Sequence, residues 1–193
     1  MFFLRHPTVQ RINRFRDEAK LDSFSYPQVG ATVEGRLPEG YNVDHNRVRL
    51  GKGLPLFDRA FAALQAWKMF ELGWVELIHP AEPPAPGQTV LVLAHTVGLY
   101  SLSASRVIAM IDEDDGQVWR RGFSYGTLQQ HVERGEERFS VEFHHRDGSV
   151  WYDLLAFSIP QHPLAKLGYP LSRAAQRRFA VDSKAAMLRA VAS

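Results

Sequence analysis

Residues 119–139 read Trp-Arg-Arg-Gly-Phe-Ser-Tyr-Gly-Thr-Leu-Gln-Gln-His-Val-Glu-Arg-Gly-Glu-Glu-Arg-Phe. Before the glycine-bounded turn, Trp119, Arg121, Phe123 and Tyr125 alternate with smaller or charged residues; after it, Glu137, Phe139, Val141, Phe143 and His145 do the same. Strand side chains point alternately to opposite faces, so each set shares one face. The spacing predicts a hairpin of strands 118–125 and 137–145, with the bulky sets turned inward.

The same pattern continues outward. Segments 74–78, 89–97, 105–111 and 150–157 are also strand-like and are separated by turn signals. Asp114-Asp115-Gly116 and Asp147-Gly148 supply the positive φ that hairpin turns require. Six consecutive strands with short connections imply an antiparallel meander, and residues 47–51 add one strand ahead of it. Between them a helix opens at Pro55, carries Leu56, Ala60, Ala63, Leu64, Trp67 and Phe70 along one stripe, and stops near Gly73. Residues 8–20 read as a short amphipathic helix, and 22–46 as a Pro- and Gly-rich wrapping segment. At the other end, 163–167 form a turn stopped by Gly168, and Pro170 opens a helix running to about Val191. Both faces of 89–97 are apolar, which predicts cover by the terminal helix on one side and the N-terminal segment on the other.

The expected fold class is therefore α+β, a curved antiparallel sheet of about seven strands gripping a long C-terminal helix. The expected division is an N-terminal extension, 1–46, and a single domain, 47–193. This element order resembles the helix-grip fold of START-like (SRPBCC-like) proteins. That resemblance, and not the periodicity, implies a cavity between sheet and helix.

A chain of 193 residues with 45% apolar and 23% charged residues has ordinary single-domain composition. It has no cysteine, which excludes disulfides, thiolate metal sites and cysteine nucleophiles. The formal charge is only +2, and the basic run Arg5, Arg11, Arg14, Arg16 is followed at once by Asp17 and Glu18. That run reads as a solvated helix face, and no nucleic-acid partner is expected. No segment approaches the ~20 apolar residues of a membrane span, and Met-Phe-Phe-Leu is too short for a signal-peptide core. The expected location is cytoplasmic, while oligomeric state stays open. No cofactor or metal is expected: Gly51-Lys52-Gly53 lacks the phosphate-loop frame, and the neighbours His144 and His145 point to opposite strand faces.

The chemistry concentrates in the hairpin. If the bulky faces are inward, Glu137 is inward too, and stranding one partner of a buried ion pair costs roughly 3–5 kcal/mol. Glu137 must therefore pair with Arg121, accept from Tyr125, or face a wet cavity. The ligand-binding candidates are Arg121, Phe123, Tyr125, Thr127, His131 and Glu137; any catalytic role falls to Glu137, His131 or Tyr125. A bulge near Gly122 or Gly135 would reverse the facing. Asp153, on 150–157, joins the pocket only if its face is inward.

Phe123, Tyr125-Gly126-Thr127-Leu128, His131 and Gly135-Glu136-Glu137-x-Phe139 resemble the central signature of the DUF nineteen-ninety family (uncharacterised protein family zero-five-four-eight). Tyr26-Pro27-x-Val29-Gly30, Leu37-Pro38-x-Gly40-Tyr41, Gly51-x-Gly53, Trp67, Phe70, Gly73-Trp74, Phe157-Ser158-x-Pro160 and Gln176 fit the same pattern. Gln129-Gln130 and Val132 stand where that pattern has Pro-Gly and a further proline. The resemblance implies a START-like ligand-binding architecture and no known activity. Three functions follow as expectations: binding of a small apolar or amphipathic molecule in a cavity under the C-terminal helix; an enzyme of hydrolase, cyclase or isomerase type using Glu137 or His131; or a non-catalytic interaction module.

Overall fold

The computed structural model describes residues 1–78 and 82–192, so Ser193, the last residue of the expected domain, lies outside the described residues. The strands are β1 (Phe2–Phe3), β2 (Asn42–Lys52), β3 (Val75–Ile78), β4 (Thr89–Thr96), β5 (Leu99–Asp114), β6 (Val118–Thr127), β7 (Glu133–His144) and β8 (Ser149–Pro160). Their order is β2-β8-β7-β6-β5-β4-β3, with β1 added on β5, and every pairing is antiparallel. The helices are α1 (Val9–Leu21), α2 (Ala31–Glu34), α3 (Leu54–Gln65), α4 (Pro163–Leu167) and α5 (Tyr169–Ala192). No helix among the described residues is long and apolar enough to cross a membrane.

The α+β grip of sheet on terminal helix stands, with eight strands in place of about seven. Phe2–Phe3 is too short for any alternation to be read, and only its pairing with Tyr100 and Ser101 makes it a strand. The α3 stripe also differs from expectation. The helix ends at Gln65, Trp67 takes a left-handed conformation (φ 57), and a 3-10 turn, Lys68–Phe70, follows. This break turns Phe70 onto Phe139 and Phe179, with ring centroids 5.6 and 5.4 Å away. Such aromatic pairs contribute about 0.5–1.5 kcal/mol each beyond their burial.

Two faces of the sheet are buried by different parts of the chain. On the concave face, Phe123, Tyr125, Phe139, Val141, Tyr152 and Leu154 pack under α3, the 3-10 turn and α5. On the convex face, Ile12, Phe15 and Ala19 of α1 meet Leu91, Leu93, Leu102 and Ala104. Tyr26 and Ala31 cover Phe157 further along that face. Both faces of 89–96 are buried, with Val90 in the concave core and Leu91 in the convex one under α1, but the terminal helix packs on β2 and β8 instead of this strand.

The hairpin register is unbroken from Val118↔His144 to Gly126↔Glu136, so the inward set is the one that alternation selects. Irregularities fall instead in β5, between Val107 and Ala109, and in β2, between Arg49 and Gly51.

Candidate functional site

Across the concave face, Asp44, Ala156, Glu137, Tyr125 and Val107 lie in one row of directly paired residues. Tyr125 Oη donates to Glu137 Oε2 at 2.7 Å. Burial pushes the Glu137 carboxyl up to about 7 against the opposing pull of that hydrogen bond, and raises the Tyr125 phenol well above its usual value. The other Glu137 oxygen has no donor among the described residues.

The other candidates from the sequence divide. Phe123 is fully buried against Trp67 and Phe139, one step along the strand face from Tyr125, and walls the site. Arg121 shares the concave face but is not brought to Glu137. Its guanidinium lies 3.8 Å over the Phe61 ring and 3.4 and 3.7 Å from Asp112 and Asp58. The expected internal counter-charge is therefore replaced by Tyr125, the direct cross-strand partner. Thr127 Oγ1 donates to Gly135 O at 3.1 Å, accepts from Gly135 N at 2.9 Å and sits 2.6 Å from Ser25 Oγ, tying the N-terminal segment to the hairpin. His131 Nδ1 accepts from the Glu133 amide at 2.9 Å, and burial lowers its pKa to about 4. It is a neutral turn-forming ring, not a base tuned to neutral pH.

Four groups belong with Glu137 that sequence reasoning did not place there. Glu133, two strand repeats from Glu137 on the same face, is 9% exposed, and its Oε2 has no hydrogen-bond partner. Burial raises its carboxyl to about 7 against the attraction of Arg173. Arg173, on the first half of α5, holds both Asp44 oxygens at 2.6 and 2.7 Å and reaches Gln176 Oε1 at 2.5 Å. Ser103 and Ser105 pair with Val92 and Val90, and so face the concave core; they are 6% and 2% exposed, with no hydroxyl partner among the described residues. Serines in a strand look like surface positions, and nothing local announces that these two are buried.

A cleft of about 310 Å³ opens beside this end, lined by Ala66, Trp67, Phe70, Leu72, Val75 and Leu77 among others. Its floor continues from Leu77 through Val92 to Ser103 along one row of the sheet. Phe70 separates the cleft from Tyr125, whose ring lies 6.5 Å away.

The convex face holds the other acidic residues. Asp153, whose facing the sequence left open, is here: it accepts from Arg138 at 3.0 Å, forms an ion pair with Arg47 Nε at 3.0 Å and lies 2.6 Å from His45. Glu136, 2% exposed, accepts from Tyr26 Oη, Gly30 N and Thr32 N at 2.7–2.8 Å and from Thr32 Oγ1. Four donors satisfy this buried carboxylate, which pins the N-terminal extension to β7. A Cβ on Gly126 would lie 2.2 Å from Tyr26 Oη, so glycine is required there for close approach.

Residues 25–186 match the family model described as Domain of unknown function (DUF1990). A UPF0548 protein of Dictyostelium discoideum is 38% identical over 100% of this chain and 97% of its own length. One from Deinococcus radiodurans is 40% identical over 92% of each chain. Among solved structures, Ara h 8.0201 aligns over 78% of this chain and 99% of its own, with 12% identity and a TM-score of 0.44. A norcoclaurine synthase point mutant from Thalictrum aligns over 79% and 98%, with 10% identity and a TM-score of 0.42.

Proposed function

Because the chain belongs to the DUF1990 family, whose name assigns no activity, we propose from its geometry that it binds a small amphipathic molecule between the sheet and the first half of α5. Cytoplasmic residence, expected from the sequence, is part of the same proposal. One observation carries it: Glu133 Oε2 is buried on the concave side with no hydrogen-bond partner among the described residues, beside Ser103 and Ser105, buried residues whose hydroxyls make no hydrogen bond there either. Leaving a polar group buried and unpaired costs about 1–3 kcal/mol, so folded proteins almost always fill such positions with protein, water or ligand. The cleft gives an apolar body somewhere to lie, and its volume falls at the small end of the ~300–1,000 Å³ typical of ligand sites. Tyr125 and Glu137 then meet the polar end behind Phe70.

The test is thermal unfolding with 1-octanol, octanoate and n-octylamine, each well below micelle formation. A ligand that binds only the folded chain raises Tm, by mass action. At least one probe is expected to do so, and Leu77→Trp, which fills the cleft, should remove the effect. No shift with any probe overturns the proposal.

A second reading, proton transfer, is favoured by Glu137 alone. A carboxyl at about 7, hydrogen-bonded to a phenol, suits acid–base work near neutral pH. Under that reading Glu137→Gln abolishes any turnover found while the probes still bind.

A further inference from the structure

Hydrogen-bond capacity at the polar end is unbalanced in one direction. Most of its donors are already committed: Tyr125 Oη to Glu137, three of the five Arg173 N–H groups to Asp44 and Gln176, and one Gln176 Nε2 hydrogen to Ser158 Oγ at 2.9 Å. Tyr152 Oη is likewise 2.7 Å from Ser183 Oγ. Nearest Glu137 what remains uncommitted is chiefly acceptor capacity: Glu133 Oε2, the second Glu137 oxygen, and the two serine hydroxyls, which can act either way. Charge leans the same way, because Asp44 and Glu133 share one guanidinium, that of Arg173, and Glu137 has no cationic side chain paired with it among the described residues. A ligand that brought only acceptors would leave these carboxylates unpaired and add repulsion. One that brought N–H donors and a positive charge would satisfy both.

We infer that the ligand carries a protonated amine, held by Glu137, on an apolar body that occupies the cleft. This rests on the site proposed above and names its ligand class. Glu137 and Glu133 lie four residues apart on one strand, about 13 Å along its axis. An ammonium meets Glu137 first from the Phe70 side, and Glu133 marks the far limit of the basin under α5.

Isothermal titration calorimetry at pH 8 with n-octylamine, 1-octanol and octanoate separates the possibilities, because the three probes share one chain length and differ in head group. Octylamine stays protonated at this pH, as an alkyl ammonium near 10.4 must. The expected order is octylamine tightest by about tenfold or more, a factor that one hydrogen bond to a charged group readily supplies. Octanoate should be weakest. In Glu133→Gln/Glu137→Gln, the gap between amine and alcohol should narrow to within about twofold, the neutral–neutral limit. Should the double variant fail to fold, the ranking in the unaltered protein decides alone. Binding of 1-octanol or octanoate as tight as that of octylamine overturns the amine assignment and leaves the site standing. Absence of binding by all three removes the site as well.

Discussion

Glu137 sets the properties of this protein at the scale of single residues. A carboxyl whose folded pKa is raised contributes stability that is complete below its unfolded value and is lost as pH rises through the folded value. For Glu137 that window runs from about 4.5 to about 7. Glu137→Gln keeps the shape and removes the charge, so the variant should be more stable than the parent at pH 8 by about 3 kcal/mol, from roughly two and a half pKa units at about 1.4 kcal/mol each. Near pH 4.5 the two should be equally stable. Urea unfolding at both pH values checks this, and a variant less stable at pH 8 would contradict it. Facing was legible in the sequence here, since alternation from Trp119 to Tyr125 and from Phe139 to Phe143 already fixed which way Glu137 points. Its partner was not. Arg121 and Tyr125 share the face, and only the register Tyr125↔Glu137 selects the phenol. Glu136 illustrates the opposite limit. Alternation sends it outward, which reads as solvent, yet Tyr26, Gly30 and Thr32 come back over a hundred residues of chain to enclose it.

Among the elements, the segment from Trp67 to Gly73 controls access. An apolar stripe predicts one helix through Phe70, and hydrophobic spacing alone does not reveal that Trp67 leaves it. The left-handed Trp67 is held by its indole N–H, which donates to Glu82 O at 3.0 Å. A non-glycine residue in that region is strained by roughly 1–2 kcal/mol, which surrounding contacts must offset. Its consequence is the placement of Phe70 between the cleft and Tyr125. Phe70→Ala should cost about 3–5 kcal/mol, the usual loss for a buried phenylalanine. It should also widen the passage from the cleft to the Tyr125–Glu137 end, so that 1-octanol stabilises the variant more than the parent. Thermal unfolding with and without 1-octanol reads both effects. A variant that loses stability without gaining response would show that Phe70 is core and does not narrow the passage. The meander from β3 to β8, the hairpins at Gly116 and Gly148 and the long final helix were all legible, because they rest on local periodicity and turn chemistry, whereas the pairing of β2 with β8 was not. The two-residue β1 and the 3-10 turn were not, because they are fixed by partners distant in sequence.

For the molecule as a whole, the sheet carries two separate cores and assigns them different work. The convex side is closed by the N-terminal extension through Ile12, Phe15, Tyr26 and the Glu136 cage, with its remaining charges paired among Arg47, Arg120, Arg138, Glu142 and Asp153. The concave side is apolar beneath α3 and the second half of α5, and polar beneath the first half of α5. That asymmetry is what makes the polar end a ligand site in this account. The most direct measurement is a crystal structure of the protein with 8-bromo-octan-1-ol, using anomalous scattering to place the bromine. The bromine should lie in the cleft between the 3-10 turn and β3, with the hydroxyl within about 3 Å of Glu137, the distance of a hydrogen bond. Bromine found only on the outer surface, with the concave end filled by the protein's own side chains, would contradict it.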